Sequence, residues 1–338
     1  GVFLCEGPWS VGPRQGMGNS CSRGGYVNLK GHAQIVAVDF LPSGELVTAG
    51  DVSMRLWHPE TGKAEKVWRF GSAVETCCCS PDGRYIACGA ADGLVFVFEV
   101  KTWQQVAHWQ AHAASGQGPL LQFFADSTYL LSAAVFTCKI WSSRTTKLIN
   151  TWDTTLMTSL HIAADCTLLA VGSDTGIVTI HTLPDGNARR RLHAHRSEIW
   201  AVAFSPDRSL LATASRDEPE GVKLWITETW ELAQALRGHS GVVLDLAFSR
   251  EGSRLATCGF DRTLRIWSRR GAGGREPGRS CGLAEDGAST GVGGTWRCEK
   301  LLLGHSDAVL SCAFAPGANG DILASGARDG TARAWRLS

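Results

Sequence analysis

Between residues 238 and 267 apolar and polar positions follow a fixed order. After Gly238-His239 comes a short apolar strand marked by Val243, Leu246 and Phe248. A turn-forming cluster, Ser249-Arg250-Glu251-Gly252, ends it. A strand of small residues follows, Leu255-Ala256-Thr257-Cys258-Gly259. An Asp turn at Asp261 leads into Leu264-Arg265-Ile266-Trp267. Short apolar runs bounded by Gly, Ser, Pro and Asp predict strands joined by tight turns. The same order runs from His195 through Phe204, Ser205-Pro206-Asp207, Thr213 and Asp217 to Trp225. It runs again from Gly304-His305 through Phe314, Ser325 and Asp329 to Trp335.

The tryptophans that end these runs set a period. Trp57, Trp141 and Trp225 are 84 residues apart, and Trp267 follows after 42. The period is therefore 42, and Phe98 and His181 stand where two marks are missing. Trp335 lies 68 after Trp267, an excess of 26 that locates an insertion over 268–296. A fixed period in this range is the signature of a repeat architecture. Seven units result, over about 31–70, 71–110, 111–152 and 153–192, then from near 193, 238 and 304.

This ordered repeat resembles the WD-repeat family, whose units are four-stranded blades of a β-propeller. The resemblance covers residues 25–338 and implies an all-β, seven-bladed fold. It also implies a structural tetrad in each blade: a loop His, a strand Ser or Thr, a turn Asp and the Trp. By resemblance these are His195, Thr213, Asp217 and Trp225; His239, Thr257, Asp261 and Trp267; and His305, Ser325, Asp329 and Trp335. The first unit offers His32, Thr48, Asp51 and Trp57, with one residue fewer in between. Units two to four lack most of theirs, with Val135 at the expected Asp of unit three. Blades two to four are accordingly expected to be less rigid than five to seven. The chain ends just after the third strand of unit seven, so Tyr26-Val27-Asn28-Leu29 is expected to supply the fourth and close the ring.

Composition narrows the function. Lys+Arg 33 against Asp+Glu 32 gives a net charge of +1, which argues against a general nucleic-acid binder. No apolar run reaches the length of a membrane-spanning helix, and no secretory signal precedes the repeats. The 12 Cys form no C-x-x-C pair and read as reduced, buried thiols, with Cys77 and Cys79 on the apolar side of their strand. No metal, cofactor or nucleophile motif emerges: His193-Ala194-His195 has no third ligand, and His195 already has a tetrad role. Arg189-Arg190-Arg191 reads as a charged outer edge that discourages pairing. The insertion is rich in Gly and Arg and reads as a disordered loop, as does the tail 1–24. Within that tail Met17-Gly18-Asn19-Ser20-Cys21-Ser22 fits an N-myristoylation pattern, with Gly18 as acceptor and Cys21 for a second acyl chain.

The expected function is a non-catalytic scaffold or adaptor. It would act as a monomeric propeller in a multiprotein complex, cytoplasmic, and membrane-associated if the chain starts at Met17. The alternative is a substrate receptor of a ubiquitin ligase. Its usual Trp-Asp-x-Arg signal is altered, with Ser for Asp in Trp141-Ser142-Ser143-Arg144 and Trp267-Ser268-Arg269-Arg270. The partner site is expected on the top rim, just after the apolar residue that opens each first strand. These positions are Val36, Glu75, Thr158, Trp200, Leu244 and Leu310, with unit three out of register. Trp200, Leu244, Leu310 and Val36 form an apolar arc there, and Trp is enriched at interface hot spots.

Overall fold

Strand-length apolar runs joined within each blade by short turns, of two to seven residues everywhere but the insertion of blade six, favour antiparallel meanders, and seven of them form here. The computed structural model describes residues 26–217, 219–270, 294–317 and 322–337. None of these is helical; they form seven four-stranded antiparallel sheets. Blades one to six run over Ala37–Arg69, Val74–Gln110, Leu120–Asp153, Met157–His193, Ile199–Leu236 and Val243–Leu303, and the seventh begins at Val309. The first strands of neighbouring blades pack side by side around the ring, including those of blades seven and one.

Blade seven contains only Val309–Phe314, Ile322–Ala327 and Thr331–Arg336 of its own. Its fourth strand is Tyr26–Lys30, paired antiparallel from Tyr26↔Trp335 to Lys30↔Thr331. Leu29 on this strand is fully buried. The exposed edge of the last blade is thus covered by the segment that leads into the first.

The insertion in blade six begins later and ends earlier than 268–296. Thr263–Arg270 and Thr295–Leu303 continue the ladder through Ser268↔Arg297, Arg269↔Trp296 and Arg270↔Thr295. The expected loop is corrected at both ends, because these residues find partners across the hairpin. Its interior, 271–293, lies outside the described residues, as do the tail 1–24, Gly18 and Cys21.

The cysteine run also needs correction. Single-face alternation puts Cys77 and Cys79 in the core. A propeller blade is covered on both faces, so all three thiols pack: Cys77 and Cys79 with blade one, Cys78 with blade three. Burial pushes these thiols well above the ordinary range, which favours the protonated form of each.

Two kinds of device lock adjacent blades. In blades one to three, the fourth strand carries Trp68, Trp109 and Trp152 at one ladder position. They lean on the next blade's Trp-slot residue: Phe98 at 5.3 Å, Trp141 at 5.4 Å and His181 at 6.2 Å between ring centroids. Blades four to seven use Leu192, Leu236, Leu302 and Leu29 at that position. On the first strands of blades one to four, side-chain acceptors capture a backbone N–H of the following blade. Asp39 accepts from Cys79 (2.8 Å), Cys78 from Phe123, Gln122 from Ile162 (2.8 Å) and His161 from Phe204 (3.3 Å). Blades five to seven have Ala203, Ala247 and Ala313 there. Two residues earlier, Asp245 accepts from Cys312 (2.9 Å) and Ser311 from Val38 (3.3 Å).

Candidate protein-interaction face

Strand direction alternates within a blade. The turns between second and third strands and the connections between blades therefore emerge at the same end of the ring, here called the top. The tetrads form just beneath it. In blade six His239 Nδ1 lies 2.8 Å from Asp261 Oδ2, and its Nε2 lies 2.8 Å from Thr257 Oγ1. Trp267 Nε1 donates to that hydroxyl at 2.9 Å. Blade seven repeats this with His305–Asp329 at 3.0 Å, His305–Ser325 at 2.7 Å and Trp335–Ser325 at 2.8 Å. Blade five repeats it with His195–Asp217 at 3.2 Å, His195–Thr213 at 2.8 Å and Trp225–Thr213 at 3.0 Å.

A neutral imidazole satisfies every member of this chain. Indole N–H donates to the hydroxyl, hydroxyl donates to Nε2, and Nδ1–H donates to the carboxylate. Burial supports that state: it lowers His195 to about 4 and lowers His305 as well. Hydrogen bonds from the imidazole, hydroxyls and backbone N–H groups hold Asp261 and Asp329 at about 2, against the opposing effect of burial.

Blades one and three depart from expectation together. In each, the second and third strands are joined by a two-residue turn, closed by Gly50↔Ser53 and Ala134↔Thr137. Asp51 and Val135 occupy the first turn position with φ of 50° and 53°. Asp51 is thereby carried 4.0 Å from His32 Nδ1, beyond hydrogen-bond reach, and accepts instead from Ala33 N at 2.5 Å. The expected tetrad of blade one is corrected: Ser53 Oγ (3.2 Å) and Gly50 O (3.1 Å) meet Nδ1, while Thr48 still joins His32 (2.9 Å) to Trp57 (2.8 Å). Blade three, expected to lack most of its set, keeps His112–Ser132 (2.9 Å) and Trp141–Ser132 (2.8 Å). Thr137 meets His112 Nδ1 at 3.1 Å. Shortening the turn transfers the carboxylate's role to a hydroxyl two residues on.

A cation accompanies each of these networks, two residues before the Trp. Where the His is preceded by Gly, the cation is Arg: Gly31 with Arg55, Gly238 with Arg265, Gly304 with Arg333. A β-carbon on any of these glycines would overlap the guanidinium. Where the His is preceded by Ala, the cation is Lys. Lys139 donates to Ala111 O (2.7 Å) and Lys223 to Ala194 O (3.0 Å). The slimmer ammonium reaches the carbonyl past the methyl group, which the planar guanidinium cannot.

The rim positions share one backbone feature. Glu75, Thr158, Trp200, Leu244 and Leu310 are each the extra residue of a β-bulge at the top of a first strand. Val36 takes the equivalent place, donating its N–H to Ala49 O at 2.9 Å. Bulges re-aim a side chain beside a functional surface. Blade three is the exception: Pro119 stands there, and its first strand, Leu120–Phe123, pairs without a bulge.

The six side chains divide by chemistry. Glu75 accepts from Gly118 N at 2.9 Å, and Thr158 donates to Ile199 O, so both are committed to neighbouring blades. Trp200, Leu244, Leu310 and Val36 are half-buried and follow one another round the ring. Four further top residues were missed by the sequence reading. Val52, Phe136, Leu156 and Phe260 are between 37% and 53% exposed. A large apolar residue inside a two- or three-residue turn was the available signal. Among the described residues no group of three or more His, Cys, Asp or Glu is placed to hold a metal ion.

Comparison with known proteins agrees with this architecture. The family model "WD domain, G-beta repeat" matches residues 65–99, 186–218, 230–268 and 296–336. Each match starts on or just before the outer strand of one blade and runs into the next. A nuclear distribution protein PAC1 from Gibberella zeae is 33% identical over 164 residues, 46% of this chain and 30% of that protein. A nuclear distribution protein nudF 1 from Talaromyces marneffei is 32% identical over 158 residues, 46% of this chain and 28% of its own length. PAC1 from Tuber melanosporum is 39% identical over 87 residues, 25% of this chain and 19% of the relative. The matches thus span less than a third of each relative. With seven blades, repeated His–Ser/Thr–Trp networks and four matching repeat segments, the chain is a WD40-repeat β-propeller.

Proposed function

We propose that this propeller is a non-catalytic scaffold that binds a protein or peptide on its top face, over blades five to seven and one. The observation that carries the reading is the chemistry of the bulges. Blades two and four spend their bulge side chains on neighbouring blades, whereas Trp200, Leu244, Leu310 and Val36 present apolar surface in consecutive blades. Apolar surface held at a rim by rigid strands is the form of a protein-binding hot spot. Likeness to nuclear distribution proteins supports a shared propeller platform, and the proposed setting is a cytoplasmic multiprotein complex. No observed feature favours the ubiquitin-ligase reading, whose candidate arginines are Arg144 and Arg270.

The test is affinity purification with the intact chain and with Trp200→Ala, compared by quantitative mass spectrometry. Partners bound on the top face should fall several-fold while melting stays unchanged. If every partner is recovered equally from both, the site is elsewhere.

A further inference from the structure

The top face is electrically divided, and the division coincides with the apolar arc. In blades five to seven the top loops carry Arg196, Arg216, Arg262 and Arg328, all exposed and without an ion pair among the described residues. Arg237, in the same region, is neutralised by Glu220 at 2.7 Å. The neighbouring tetrad carboxylates are already committed. Asp217 accepts from His195, Arg196 N and Ser197; Asp261 and Asp329 each accept from an imidazole, two backbone N–H groups and a threonine hydroxyl. Each also has a cation within its own blade: Lys223, Arg265 or Arg333. Among the described residues, what remains to oppose the four arginines is Glu198, Asp307 and Glu220, which is shared between Arg237 and Arg196. Glu218, in the same connection as Arg216, lies outside the described residues.

Blades two to four are the reverse. Their top loops and turns, over 70–73, 91–93, 111–119, 135–136, 154–156 and 174–176, hold no Lys or Arg, while Asp92, Asp153 and Asp174 lie at that end. The whole chain is nearly neutral, so this is a separation of charge across one face and not a generally basic protein. Phe260 protrudes between Gly259 and Asp261, two residues from Arg262, and adds apolar surface to the basic half.

We infer that the occupant of this face is an acidic peptide segment with an apolar or aromatic anchor. The anchor would lie on Trp200, Leu244, Leu310 and Phe260, and its flanking carboxylates on Arg196, Arg216, Arg262 and Arg328. The inference rests on the top-face reading above. Guanidinium groups suit this role because they bind carboxylates in a bidentate fork and desolvate more readily than ammonium groups. A nucleic acid fits less well. Its phosphates need a continuous basic groove, whereas here the arginines stand singly in separate turns around an apolar centre.

The experiment uses three labelled probes against the full chain by fluorescence anisotropy. One is a 15-residue peptide with Leu-Trp-Leu at its centre and Glu and Asp on both sides, one is its Lys-flanked counterpart, and one is a single-stranded oligothymidine. The acidic peptide should bind, and weaken as salt rises. The double change Arg262→Glu with Arg328→Glu should reduce its affinity by roughly tenfold or more. Asp92→Lys with Asp174→Lys should leave it unchanged to within about twofold. Equal binding of both peptides, lost with Trp200→Ala, would overturn the charge inference and leave the top-face site standing. Acidic-peptide binding that survives Trp200→Ala would overturn both. Preference for the oligonucleotide, or binding of none of the three probes, would also overturn the inference.

Discussion

Blades five to seven and blades two to four solve one packing problem in different chemistries. Each blade must fill the space beneath its top turn. Blades five to seven fill it with a His–hydroxyl–Trp chain whose members satisfy one another, while Arg265 Nε and Arg333 Nε and Nη1 beside that chain are buried without a partner. Blade two fills it with hydrocarbon: Phe70 stands in the His slot, Phe96 in the cation slot, Cys88 in the hydroxyl slot and Phe98 in the Trp slot. Phe70 lies 5.0 Å from Phe96 and 6.0 Å from Phe98 between ring centroids. Blade four is half-converted. Val171 supplies no hydroxyl, and His181 in the Trp slot bonds Gly186 O at 2.9 Å through Nδ1. Its Nε2 is left buried without a partner, as are Trp152 Nε1 and Ser159 Oγ.

The difference teaches that completeness matters more than polarity. A fully paired polar network and a fully apolar replacement are both stable, whereas a partly replaced one leaves groups desolvated and unpaired. The expectation that blades two to four share one lower rigidity therefore divides. Blade two is apolar in these slots and blade three keeps most of its chain, so within the chain itself the unpaired groups fall in blade four, which is expected to be the least rigid of the three.

The largest test of this contrast exchanges chemistry between blades. Thr257→Val in blade six strands an imidazole nitrogen and an indole N–H, and should destabilise by about 2–4 kcal/mol. Cys88→Thr in blade two buries a hydroxyl among phenyl rings, and should also destabilise, by about 1–3 kcal/mol. Urea unfolding measures both; a neutral outcome for either would mean that the slot tolerates the other blade's chemistry.

A double-mutant cycle sharpens the cation rule. Gly304→Ala alone crowds the Arg333 guanidinium and should cost about 1–3 kcal/mol. Adding Arg333→Lys recreates the Ala–Lys pairing of blades three and five, and should recover about 1 kcal/mol or more of the loss. Additive effects would show that Gly304 and Arg333 act independently.

Native-state amide exchange locates the weak blade. Protection in the strands of blade four should be lower, by roughly tenfold in exchange rate, than in blades two and six. Equal protection in blades two and four would break the distinction between complete and partial replacement.

The smallest expected effect is on pH dependence. Burial lowers His112, His161 and His195 to about 4, below the ordinary 6.5. Their neutral forms stabilise the fold fully above pH 6.5, and that contribution is lost as pH falls toward 4. Asp39 and Asp245 act oppositely. Burial raises both to about 6, so between pH 6 and 3.8 acidification favours the folded state at these sites. The melting temperature should therefore fall gently between pH 6.5 and 4. His161→Gln installs the residue that blade three uses at Gln122. It should keep the bond from Phe204 N, leave melting at pH 7 within a few degrees, and shallow the acid slope. An unchanged slope would exclude His161 as a contributor.

Much of this molecule was legible along the chain. Gly238-His239, Thr257, Asp261 and Trp267 lie in one repeat, and their order reflects strand and turn lengths that are local properties. Asp51 and Val135 were harder to interpret. The shortened spacing was visible, but whether a carboxylate still reaches an imidazole depends on the path of a two-residue turn through space. Cys77 and Cys79 misled because alternation presumes one buried face. Phe260 and Phe136 carry no repeat mark, so spacing alone does not single them out.

The sequence by itself determined the period of 42, the seven units, the identity of most network members and the origin of the closing strand, since each follows from spacing and turn chemistry within about forty residues. Only the tertiary structure decided how blades join. Trp109 meets Trp141, Asp39 meets Cys79, and four exposed arginines in separate blades share the top face with Trp200 because ring closure brings together residues that no local pattern relates.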